Sequence, residues 1–148
     1  MATRSFICKS LPKRYQNIRQ DHTVVGIYCH YDGYPAGVGA TLSTYYTTEE
    51  RVDALLSLGS ISRLHPRLVP DLSETHTFDN PAVGVTVAYH RDRGEALRET
   101  TFPSLDVMVS DVADQLGVEF VYIWDGNAWV TLDLTLNADF SFETALSD

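Results

Sequence analysis

Phe120-Val121-Tyr122-Ile123-Trp124 and Ala128-Trp129-Val130-Thr131-Leu132, joined by Asp125-Gly126-Asn127, form the stretch that decides the fold. Two runs of β-branched and aromatic residues around a turn with a central glycine predict an antiparallel hairpin. Alternation puts Val121, Ile123, Val130 and Leu132 on one face and Phe120, Tyr122 and Trp129 on the other, and both sets are apolar. One face must meet helices. The other is left for a second layer, a subunit or a ligand, which makes a homodimer a reasonable expectation.

Upstream of the hairpin, Leu105, Met108, Val109, Val112 and Leu116 follow the 3.6-residue period of a helix that Ser104 caps and Gly117 ends. Its outer face carries Asp106, Asp111 and Asp114. Val83, Val85, Val87 and Tyr89 alternate with smaller residues, which predicts a half-buried strand followed by a charged turn over 91–95. Residues 60–81, with Pro66, Pro70 and Pro81, read as a long surface connection that is too apolar at Leu64, Leu68, Val69 and Leu72 to be simply disordered. Thr47 and Glu50 suggest a capping box for a helix burying Val52, Leu55 and Leu56, and Pro35 opens a helix carrying Val38, Leu42, Tyr45 and Tyr46. Strands over 4–8 and 24–31 complete the set, with the basic segment 9–21 as the connection between them. The expected fold is a single α+β domain over 1–148, a mainly antiparallel sheet of about five strands with three helices packed on one face and an acidic C-terminal tail over 136–148.

The chain has 148 residues, 44% of them hydrophobic and 21% charged, which suits one folded domain and excludes bulk disorder. No apolar run is long enough to span a bilayer, and the first residues contain no apolar signal core, so no membrane association and a cytoplasmic location are expected. Cys8 and Cys29 are far apart and read as reduced, buried apolar residues. The net charge of −9 is polarised along the chain: residues 1–20 carry +5, residues 21–98 carry −4 and residues 99–148 carry −10. Such acidity disfavours generic nucleic-acid binding. It fits a solubilising surface on which the basic start docks, or an imitation of nucleic acid aimed at a DNA-binding partner.

The densest unusual stretch is Tyr28-Cys29-His30-Tyr31-Asp32-Gly33-Tyr34-Pro35-Ala36-Gly37-Val38-Gly39. It runs from a strand end into a helix start, where free backbone N–H groups favour anions and Gly37 and Gly39 permit close approach. The tyrosines Tyr28, Tyr31 and Tyr34 could stack on a base, and Arg91 and Arg93, in a compact basic cluster with Arg98, could fork a phosphate or carboxylate. The alternative is that the glycines only allow tight packing and the arginines pair with Asp92, Glu95 and Glu99. Two H-x-D patterns, His30 with Asp32 and His90 with Asp92, suggest imidazole–carboxylate pairs for general-base or hydrolytic chemistry. No third ligand or nucleophile accompanies them, and no Walker, G-x-S-x-G, H-E-x-x-H or C-x-x-C pattern occurs, so no metal and no cofactor are expected.

The motif over 27–35 resembles a set of short, largely uncharacterised proteins encoded by bacteriophages and prophages. The likeness continues through Leu55-Leu56-Ser57-Leu58-Gly59-Ser60-Ile61-Ser62, and again through Gly84-Val85-Thr86-Val87-Ala88-Tyr89 with Arg91-Asp92-Arg93-Gly94-Glu95. The resemblance implies an accessory protein at work in the cytoplasm of an infected host, and it supplies no activity. The reading it favours is a non-enzymatic inhibitor of a bacterial defence system. Such an inhibitor would sequester a nucleotide-like anion through Tyr28, His30, Tyr31, Asp32, Tyr34, Gly37, Gly39, Arg91 and Arg93, or block a host protein through Asp106, Asp111 and Asp114. A small hydrolase or phosphodiesterase using His30, Asp32, His90 and Asp92, and a structural virion component, are the alternatives.

Overall fold

Phe6-Ile7-Cys8 is an unbroken apolar run, and a strand buried on both faces is the structure such a run forms. A computed structural model of the chain describes residues 2–11 and 23–136. In it Phe6, Ile7 and Cys8 are all buried in β1, Ser5–Leu11. β1 pairs antiparallel with β2, Thr23–Cys29, and parallel with β6, Phe120–Trp124. β6 forms the expected hairpin with β7, Trp129–Asp133, in a register that sets Trp124 opposite Trp129. The far side of β2 is shared by two short strands. β3, Ile61–Arg63, lies parallel at Cys29, and β5, Thr100–Phe102, lies antiparallel along Val24 to Gly26. β4, Val87–Ala88, closes that edge against β3.

The α+β class is as expected, but the sheet is mixed and has seven strands, with a parallel pair on either side of the central antiparallel pair β1–β2. The helices are not confined to one face. Ile7, Ile27, Tyr122 and Trp124 meet α1, Ala40–Tyr45, and α2, Glu49–Leu56, through Leu42, Tyr46, Val52 and Leu55. Phe6, Cys8, Val24, Val121 and Ile123 point the opposite way and meet α4, Leu105–Leu116, through Leu105, Met108, Val109 and Val112. Alternation along β1 and β6 thus feeds two cores on opposite faces. Each apolar face of the hairpin meets helices of its own chain, which removes the need for a second subunit over it.

Ser104 caps α4 by accepting the Val107 N–H. α2 is capped by Thr48, which accepts the Arg51 N–H, one residue later than the capping box predicts. Lys9 lies in β1 and not in a loose basic connection. Its ammonium reaches Glu49 at 2.5 Å and Asp53 at 2.9 Å, and Glu49 also accepts the Trp124 indole N–H at 2.6 Å, tying α2 to the sheet. The rest of the basic segment, 12–21, and the tail residues 137–148 lie outside the described residues.

Two further elements differ from expectation. The strand over 83–89 is reduced to β4, and Tyr89–Arg93 is a short helix, α3, where a charged turn is predicted. The carboxylate of Asp92 reaches back to the Ala88 N–H at 2.8 Å and so closes the helix start. The helix predicted from Pro35 begins as a π-helical turn, Pro35–Gly39, before α1, and Tyr45 stands half exposed while Val38, Leu42 and Tyr46 are buried.

Candidate functional site

The stretch from Tyr28 to Gly39 is occupied by its own contacts. Two N–H groups at the helix start are taken: Gly37 N–H donates to Tyr34 O and Val38 N–H to Asp32 O, each at 2.9 Å. A Cβ at Gly37 would lie 2.4 Å from Asp32 O, and one at Gly39 would lie 3.1 Å from the Tyr122 ring. Both glycines therefore serve close packing. Tyr122 completes the arrangement by donating its phenol to Gly33 O at 2.6 Å. These two N–H groups are closed to an anion, and the carboxylate of Asp32 stands beside them.

Neither H-x-D pair forms. His30 sits with its Nδ1 2.7 Å from the Tyr28 phenol and its ring edge-on to Tyr31, while Asp32 accepts from Arg63 at 3.1 Å and from Tyr34 at 3.3 Å. Burial, assisted by the nearby charge of Arg4, holds the His30 imidazole below its ordinary pKa. At the second pattern, His90 turns its Nδ1 to Glu95 O at 2.7 Å, and the partner of Asp92 is His76 at 3.0 Å. The side chains of His76 and Asp92 are only 3% and 4% exposed. His76 Nδ1 accepts the Ala82 N–H at 2.9 Å, so the ring proton sits on Nε2 and is donated to Asp92. With both nitrogens engaged, this imidazole is no free base.

Arg91 belongs to the same knot. Its Nε and Nη2 grip the Asp92 carboxylate at 2.8 and 3.1 Å, Nη2 also donates to Thr86 O at 2.7 Å, and Nη1 donates to Leu68 O. Burial pushes the Asp92 carboxyl up, yet the bonds from Arg91, the Ala88 N–H and His76 outweigh it and hold the pKa below the ordinary value. Arg91 thereby pins the loop 64–86 to α3 and has no fork to offer a ligand. Arg93 lies over the packed rings of Phe78 and Tyr89, 4.3 and 5.0 Å from their centroids, and pairs with Glu95 at the surface.

The third arginine of this stretch differs. Arg98 makes no side-chain hydrogen bond or ion pair among the described residues. It lines a cleft of about 280 Å³ that opens beside β2, where Phe6, Tyr28, Tyr89 and Leu116 supply the apolar walls and Ser60, Glu95 and Thr100 the remaining polar lining. The cleft exists because β3 and β5 divide the outer edge of β2 between them. Arg4 is close by, donating to Leu116 O at 3.3 Å and acting electrostatically on both Tyr28 and His30. Burial raises the Tyr28 phenol, so it remains a neutral hydrogen-bonding group. Of the residues expected at a ligand site, Tyr28 lines this cleft, and His30 reaches it only through its contact with the Tyr28 phenol. Tyr31, Tyr34, Gly37 and Gly39 form the neighbouring turn. Tyr89 and Glu95 lie outside that expected set, whereas Arg98 belongs to the basic cluster it forms in the sequence with Arg91 and Arg93.

Asp106, Asp111 and Asp114 do come together, on the outer face of α4, where with Val107, Ser110 and Gln115 they line an open groove of about 390 Å³. Among the described residues no group of three or more His, Cys, Asp or Glu could hold a metal ion, and no helix is long and apolar enough to cross a membrane. Comparison with known proteins finds no matching family model, no matching characterised protein and no matching solved structure.

Proposed function

We propose that the protein acts by binding and that its ligand is a small planar anion of nucleotide type, held in the cleft between Tyr28 and Tyr89. The observation that carries this reading is the Arg98 guanidinium on an aromatic-walled cleft, with no side-chain partner among the described residues. An arginine fork without an internal partner is available to a phosphate or carboxylate, and phenol rings beside it offer faces to a base. A volume of about 280 Å³ is at the small end of ligand sites, which suits a mononucleotide with its anionic group at the mouth. Sequestration is favoured over turnover because the imidazoles of His30 and His76 are engaged with Tyr28 and with Asp92 and Ala82. On the resemblance to phage-encoded proteins, the setting is the cytoplasm of an infected bacterium, and the consequence is the blunting of a defence that signals through nucleotides.

Titration calorimetry with the four ribonucleoside monophosphates and inorganic phosphate tests this reading. At least one nucleotide binds the wild-type protein and is recovered unchanged, and Arg98→Ala weakens it by about tenfold or more. Failure of every nucleotide to bind, or binding indifferent to Arg98, rejects the proposal. A second reading, a host protein docked on α4, draws on the exposed carboxylates of Asp106, Asp111 and Asp114 around a half-exposed Val107. It requires a basic partner surface.

A further inference from the structure

We infer that Glu95 makes the cleft selective for guanine among the common bases, a step that rests on the nucleotide reading above. Among the described residues Glu95 is the one carboxylate that lines the cleft, and several contacts orient it. Its N–H donates to Tyr89 O at 3.1 Å, its carbonyl meets His90 Nδ1 at 2.7 Å, and its Oε2 is gripped by Arg93. Arg93 itself lies over the packed rings of Phe78 and Tyr89. Oε1 has no hydrogen-bond partner among the described residues. Among the described residues the cleft therefore offers one cation without a side-chain partner, Arg98, and one open acceptor oxygen, on Glu95, beside the rings of Tyr28 and Tyr89.

An ionised carboxylate only accepts hydrogen bonds. Guanine is the common base whose pairing edge has two adjacent donors, N1–H and the N2 amino group. Adenine and cytosine set a ring-nitrogen acceptor next to their amino group, and uracil flanks its single N–H with two carbonyl oxygens. With Oε2 taken by Arg93, the two guanine donors can converge on Oε1 alone, whereas each of the other three bases sets an acceptor beside the one donor it brings to that oxygen, and a polar site rejects a ligand that leaves its groups mismatched far more strongly than an apolar site rejects a change of shape. The guanine edge would meet Glu95, the ring would lie against the phenols, and the phosphate would meet Arg98.

The test uses the full chain with GMP, AMP, CMP and UMP, each titrated into wild type, Glu95→Gln and Arg98→Ala, with thermal melts to verify folding. GMP is expected to bind wild type about tenfold or more tighter than AMP. Glu95→Gln, whose amide presents a donor as well as an acceptor, is expected to erase that preference chiefly by weakening GMP. Arg98→Ala is expected to weaken all four alike. Equal affinities, or a GMP preference that survives Glu95→Gln, overturn the assignment of Glu95 while leaving Arg98-dependent nucleotide binding in place. Absence of Arg98-dependent binding overturns both.

Discussion

Arg91 and Arg98 lie seven positions apart and live in opposite circumstances. Arg91 donates to two backbone carbonyls and both oxygens of a buried carboxylate, whereas Arg98 has no side-chain partner among the described residues. The first is an element of the fold. The second is a group that the fold leaves available. Charge density along a sequence does not separate the two cases, because what distinguishes them is whether carbonyls from elsewhere in the chain have closed around the guanidinium.

The contrast breaks most visibly at Arg91. Arg91→Ala strands Leu68 O, Thr86 O and a carboxylate only 4% exposed, and removing one partner of such a pair is expected to cost about 3 kcal/mol. Chemical denaturation should report that loss, with early proteolysis in the loop 64–86. A midpoint equal to wild type would show that the knot does not anchor the loop. An intermediate effect is expected at Arg67, which pairs with Glu74 through both oxygens on the same loop and holds that carboxyl down to about 2. A carboxyl depressed in the folded state stabilises above its ordinary value of 4.5, and the contribution is lost as the pH falls from there toward about 2. Titration of the Glu74 carboxyl carbon by NMR should give an inflection near 2 in wild type and a return toward the ordinary value in Arg67→Ala. The smallest effect is expected at Arg98, where alanine should change stability by less than about 0.5 kcal/mol while weakening the ligand. A large loss of stability there would mean that Arg98 is structural after all.

Much of the architecture is legible where the determinants are local. The helix over 105–116 needs only its own period, Ser104 before it and Gly117 after it, and the hairpin needs only two β-rich runs around Asp125-Gly126-Asn127. β3 and β5 are not legible, because three residues each carry no period and become strands only by lying against β2. The placement of helices on both faces did leave a trace: Phe6-Ile7-Cys8 and the doubly apolar hairpin both demand two-sided cover. The expectation of a single helical face overlooked that demand. At the site, Tyr28 and His30 were visible as part of a dense motif. The pairing of His76 with Asp92 was not, since no spacing rule links a histidine in a proline-rich loop to an aspartate in a later helix. The same holds for the cleft, which follows from how β3 and β5 divide one edge.

The parallel pairing of β1 with β6 joins Ser5 to Phe120 and Lys9 to Trp124. During synthesis the first strand therefore waits, paired at best with β2, until nearly all of the described chain has left the ribosome. Contacts so distant in sequence slow folding and make it all-or-none. A nascent chain arrested before residue 120 should show neither of the two cores assembled. Whatever the protein binds would then be met only by a finished molecule.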